Sequence, residues 1–177
     1  MPQFTDSFSE DSENEEILSI TSDDDSIPDS LEWFSGNISS YYKSNIKIAH
    51  LKINSIQNKL DEVKDMLNRN MFDILFIGKT KLDRMYSSSL LYHPGYRIVR
   101  RDRKKGAGGL IAFIREDLSV YRRCKLEPES VEAICLDVMD FRKCRFIVCA
   151  CYRSEKVNKP AEFISSLKSA IELIFKC

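Results

Sequence analysis

Asp73–Ile77 reads DILFI, a short run that is almost wholly apolar. Such a run is typical of a strand covered on both faces, so the chain must supply layers on either side of it. The flanking sequence does so. Ile46–Lys52 alternates and reads as a strand. From about Asn54, a suitable N-cap, Ile56, Leu60, Val63 and Leu67 fall on one helical face. After the His93–Pro94–Gly95 turn, Tyr96–Arg100, Gly108–Ile114, Leu118–Arg122, Val131–Val138 and Arg145–Tyr152 read as further strands. A last amphipathic helix begins near Pro160, which suits a first helical position. It carries Phe163, Ile164, Leu167, Ile171 and Ile174 on one face. The order βαβ, then strands, then a helix predicts an α/β sandwich with a mixed sheet. The final helix should lead into another strand, and the sequence stops at Cys177. The pattern therefore predicts an incomplete fold.

Charge divides the chain into unequal parts. Residues 1–42 carry eleven acids and neither Lys nor Arg, while the remainder carries all twenty-seven bases against sixteen acids. A net charge of zero thus conceals a basic domain behind an acidic arm, which suggests a polyanion-facing surface with the arm as its competitor. Residues 1–32 are poor in core formers and are expected to be a disordered acidic tail. Residues 33–45, with Trp33, Phe34, Tyr41 and Tyr42, form an aromatic linker, and 46–177 form the folded domain. Within the tail, Ile17, Leu18 and Ile20 lie between acidic neighbours. They resemble a SUMO-interacting motif, a strand that adds to a partner's sheet edge; the alternative is a chance run in a biased tail. Ser22, before three aspartates, resembles an acidophilic-kinase site.

No membrane-spanning run and no ordinary signal peptide are read, so an intracellular protein, nuclear or cytoplasmic, is expected. Cys124, Cys135, Cys144, Cys149, Cys151 and Cys177 form no CxxC pair, and several lie in apolar runs. They read as reduced core thiols rather than zinc ligands.

Functional groups in an α/β sheet collect where strands end. These ends supply Lys52 and Asn54, then Gly78–Lys79–Thr80–Lys81–Leu82–Asp83, then Tyr152–Arg153–Ser154. Lysines stand where a magnesium site would want oxygen ligands, and Asp83 is the nearby acid. His50 lies within a strand and reads as a satisfied core residue. His93 precedes a turn and reads as a surface residue. No Ser-His-Asp or Cys-His set can be assembled. Arg100, Arg101, Arg103, Lys104 and Lys105 form a basic run beside glycines, read either as a phosphate-backbone contact with DNA or as a solvated hairpin turn.

The segments IAHLKINSIQNKLDEVKDML, DILFIGKTKLD, PGYRIVRRDRKKGAGGLIAFIREDL and CRFIVCACYRS resemble, in order, the endonuclease/exonuclease/phosphatase domain. The likeness is greatest to the apurinic-type endonuclease of non-LTR (LINE-like) retrotransposons, and it runs from about Ile46 to Cys177. It implies a DNase I-like four-layer α/β sandwich, here incomplete, and in intact relatives a magnesium-dependent cleavage of phosphodiesters. The family's first strand ends in an L-N-x-N-like motif; here Leu51–Lys52–Ile53–Asn54 puts Lys52 at the first Asn. The second strand ends in a Glu-Thr pair whose Glu binds metal; here Lys79–Thr80 removes that ligand. Tyr152 matches the family's tyrosine near the scissile phosphate. The D-x-N motif and the terminal serine-aspartate-histidine motif would fall beyond Cys177. The resemblance thus implies a degenerate, truncated domain with no metal or other cofactor of its own. It also implies that the second sheet is lost, leaving an apolar sheet face exposed. The alternatives are a nucleic-acid-binding module, or part of a longer magnesium-dependent endonuclease–reverse transcriptase polyprotein.

Overall fold

The computed structural model describes residues 45–103, 106–153 and 160–174. The acidic tail, nearly all of the aromatic linker, the SUMO-like run, Ser22, Lys104, Lys105, Ser154 and Cys177 lie outside the described residues.

Among the described residues, seven strands and two α-helices follow in the order β1 (Ile48–Lys52), α1 (Leu60–Asn68), β2 (Ile74–Gly78), β3 (Tyr96–Arg101), β4 (Leu110–Arg115), β5 (Ser119–Arg122), β6 (Glu132–Met139), β7 (Arg145–Tyr152) and α2 (Pro160–Ile174). Short 3-10 turns at Gln57–Lys59, Ser88–Leu91 and Cys124–Leu126 join them. One sheet has the order β1-β2-β4-β3, with β1 and β2 parallel and the rest antiparallel. The other is an antiparallel meander, β5-β6-β7.

Every residue of β2 is buried, as the DILFI run requires. Leu75 and Ile77 face outward and pack with Ile56, Val63 and Leu67 from the α1 side. Ile74 and Phe76 face inward and pack with Ile134, Leu136, Val138 and Ala150 of the second sheet. The layers therefore run α1, first sheet, second sheet, and α2 packs beside the Cys124–Leu126 turn. No helix of the described residues is long and apolar enough to cross a membrane.

Several expectations need correction. The second sheet is not lost. Its three strands carry inward apolar residues at alternate positions, enough to cover most of the first sheet. Only β1 overhangs: its residues Ile48, His50 and Lys52, in register with Ile74, Phe76 and Gly78 on the inner face, are exposed. Asn54 does not cap a helix. The amides of Ser55 and Ile56 bond to the carbonyls of Lys79 and Thr80, so the chain stays paired past β1. Asn54 instead takes a φ of 55° to turn, and the helix starts at Leu60. His93 is no surface residue. It is buried, with Nδ1 donating to the Pro94 carbonyl at 2.7 Å and Nε2 bonded to the Asn68 side-chain amide at 2.8 Å.

The cysteines also depart from the reduced-core reading. Cys135 and Cys149 are directly opposed on β6 and β7, with Cα atoms 4.1 Å apart, and form a disulfide. Opposed positions on antiparallel neighbours bring the two side chains together. Cys124 and Cys144 are exposed, and burial pushes the half-buried Cys151 thiol up.

Arginine–carboxylate clamps tie the second sheet to its surroundings. Glu127 accepts from Arg122 at 2.8 Å, from Arg101 at 3.2 Å and from the Cys135 amide at 3.1 Å. On the outer face of β6, Asp137 accepts from Arg145 and Arg123. Hydrogen bonding from Arg145, then from Arg123, holds its carboxyl at a pKa of about 2 against the cost of burial. Depression means that Asp137 stabilises the fold above its unfolded pKa and loses that contribution as pH falls through 4 towards 2. Acid unfolding followed by circular dichroism should therefore show a stability loss across pH 4 to 2 that is smaller in Asp137→Asn. An equal slope in both proteins would exclude this carboxylate as a source of acid sensitivity.

Candidate functional site

The C-terminal ends of β1 and β2 lie side by side, with Lys52 opposite Gly78. The chain after Gly78 threads between two other segments. On one side it accepts the amides of Ser55 and Ile56. On the other, Thr80 and Lys81 donate to the carbonyls of Gly109 and Gly108 at 3.3 and 2.8 Å. This double pairing fixes the backbone of Lys79 and Lys81 at a φ of 59° each, a left-handed conformation that costs roughly 1–2 kcal/mol per non-glycine residue. Asn54, Ser55, Gly106, Gly108 and Gly109 also have positive φ, so strained backbone gathers at this end of the sandwich. Strain of this kind collects at functional sites.

Gly78 admits two rings. A Cβ there would lie 3.0 Å from His50 Nε2 and 3.7 Å from Tyr152 Cδ2, so glycine lets β1's imidazole and β7's phenol approach the end of β2. Tyr152 is opposite Glu132 on β6. Glu132 accepts from the Gly109 amide at 2.5 Å and from Arg103 at 3.0 Å, which pins the β3–β4 connection to the second sheet. Arg101, Arg103, Glu132 and Tyr152 line a cleft of about 340 Å³. Thr80 is fully buried, and its hydroxyl has no hydrogen-bond partner among the described residues.

The structure therefore gathers Lys52, Lys79 and Tyr152 at one end, as their places at strand ends suggested. It adds His50 and Glu132, which the sequence reading missed. His50 follows the inward alternation Ile48, His50, Lys52 on a strand whose inner face is uncovered. That exposure is invisible without knowing that the second sheet is one strand narrower. Glu132 heads a strand, a position that signalled nothing by itself.

The basic run behaves differently. Arg100 donates to the carbonyls of Tyr86 and Asp83 and to Asp102. Arg101 donates to Glu127 and to the carbonyls of Ala133 and Pro128. Arg103 holds Glu132. These three guanidiniums serve internal acceptors, and Lys104 and Lys105 of the same run lie outside the described residues. Lys52, Lys79 and Lys81 at this end have no hydrogen bond or ion pair from their side chains among the described residues.

Magnesium, which the family resemblance implies, can be tested against these donors. It needs oxygen ligands. The strand ends offer ammonium groups, an imidazole and the single carboxylate of Asp83, and Glu132 is already bonded twice. Among the described residues no group of three His, Cys, Asp or Glu side chains is placed to hold a metal. The described residues at these strand ends do not make up a set of oxygen ligands for the ion.

No family model and no curated protein matches the chain. Solved structures do. The 3′ phosphatase NExo from Neisseria, bound to a product DNA hairpin, aligns at 22% identity and a TM-score of 0.47, covering 72% of this chain and 50% of that one. An AP endonuclease from Archaeoglobus fulgidus aligns at 25% identity and 0.42, covering 58% and 40%. The endonuclease domain of TRAS1, a telomere-specific non-LTR retrotransposon, aligns at 14% identity and 0.49, covering 73% and 54%. The structural neighbours are AP-endonuclease-like domains. The chain spans about half the length of these solved structures.

Partial burial lowers the pKa of His50 from the ordinary 6.5. Its ring resonances, followed by NMR against pH, should therefore titrate below 6.5, leaving it neutral at pH 7. A midpoint at or above 6.5 would mean that the ring is fully solvated or that an anion lies beside it.

Proposed function

We propose that this chain is a degenerate, nuclease-like domain of retrotransposon-endonuclease type that holds nucleic-acid phosphates without cleaving them. One observation carries the reading: Lys52 and Lys79 stand at adjacent strand ends, and neither ammonium is paired among the described residues. Ammonium groups in that position attract a phosphodiester and repel the divalent ion that would activate water against it. Tyr152 and neutral His50 flank the same spot. Glu132 is held by Arg103 and the Gly109 amide, so it serves the fold rather than a metal.

Two measurements test this together. The pure full-length chain should not nick supercoiled plasmid in magnesium or manganese above the level of a buffer control. It should retard DNA in a gel-shift assay, with affinity falling as salt rises. Lys52→Ala and Lys79→Ala should each weaken binding several-fold and reduce the salt slope by about 1. Metal-dependent nicking that follows the protein through purification would overturn the reading. So would lysine variants whose affinity and salt slope match the parent.

A further inference from the structure

A second cavity, of about 200 Å³, lies at the same end of the sandwich, lined in part by Ser55, Gln57, Lys81, Asp83 and Tyr86. Lys81 is two residues from Lys79, and the Ser55 amide donates to the Lys79 carbonyl at 2.9 Å, so this cavity adjoins the lysine pair. Its polar groups are open. Neither Lys81 nor Asp83 makes an ion pair among the described residues, although both line the space. Asp83 Oδ1 accepts the Met85 amide at 3.0 Å, and Oδ2 has no partner among the described residues. The backbone holding these groups is strained, at φ 114° for Ser55 and 59° for Lys81.

We propose that this cavity is a nucleobase pocket and that the whole site takes an unpaired guanine nucleotide. Its base would lie between Lys81 and Asp83 beside Tyr86, and its phosphate on Lys79. This rests on the phosphate-binding reading above and deepens it. A carboxylate only accepts hydrogen bonds and can take two at once, while an ammonium only donates. Guanine presents an acceptor, O6, next to two donors, N1–H and N2–H. Adenine, cytosine and uracil each offer a carboxylate one donor group on that edge. An aromatic side chain beside a polar edge is the usual way a splayed base is held. The same chemistry is found in a free guanine nucleotide and in an unpaired guanine within a strand.

The test titrates the full-length chain with GMP, AMP, CMP and UMP, followed by NMR, and with two single-stranded oligonucleotides, one all thymine and one with a single central guanine. GMP should bind about tenfold more tightly than the other three, the discrimination expected of one good bidentate contact. Asp83→Asn should remove that preference. Its Oδ1 still accepts the Met85 amide, so an unchanged melting temperature checks that the loop is intact. Lys79→Ala should weaken all four nucleotides alike. Guanine preference in both GMP and the oligonucleotide identifies a strand as the source; preference in GMP alone identifies a free nucleotide. Equal binding of all four nucleotides, or a guanine preference that survives Asp83→Asn, would overturn the pocket and leave the phosphate-binding reading standing. Absence of binding to every nucleotide and oligonucleotide would overturn both.

Discussion

Ile74 and Phe76 of β2, with Leu110, Ala112 and Ile114 of β4, press against Ile134, Leu136 and Val138 of β6, and this contact between sheets sets everything else. Each fully buried aliphatic or aromatic side chain contributes about 1.5–3 kcal/mol, so this interface is a large part of the domain's stability. It also fixes the site. Lys52, His50 and Lys79 belong to the first sheet, and Tyr152 and Glu132 to the second. Neither sheet alone places them together. The clamps from Arg101 to Glu127 and from Arg103 to Glu132 lock the relative position of the sheets at the end where the site lies.

Charge is allotted with the same economy. The arginines of the β3–β4 region are spent on carboxylates and carbonyls inside the fold. Their planar forks suit several fixed acceptors at once. The lysines at the strand ends are left without such partners among the described residues. A basic segment in the sequence therefore says little about where free positive charge lies. The structure separates the guanidiniums that hold the domain together from the ammonium groups that face outward at its open end.

Much of the fold was legible in the sequence, because periodicity reports burial directly. DILFI marked the strand covered on both faces, and Arg145–Tyr152 and the Pro160 helix start match the structure. That Lys52, Lys79 and Tyr152 lie at one end was legible because strand ends converge. What was not legible depended on partners distant in sequence. The two histidines exchanged roles: His93 is fixed by Asn68, twenty-five residues away, while His50 is left open because the second sheet stops short of β1. Asn54 failed as a cap because the loop after β2 claims the neighbouring amides. Cys135 and Cys149 paired because of strand register, which spacing alone does not supply.

The central claim is that lysines, and not a divalent metal, hold phosphate at the ends of β1 and β2. Nucleic-acid affinity measured at constant ionic strength in EDTA and in magnesium decides it most directly. The account predicts equal or slightly tighter binding in EDTA, since magnesium only competes for phosphate. Binding that EDTA abolishes and magnesium restores would contradict it.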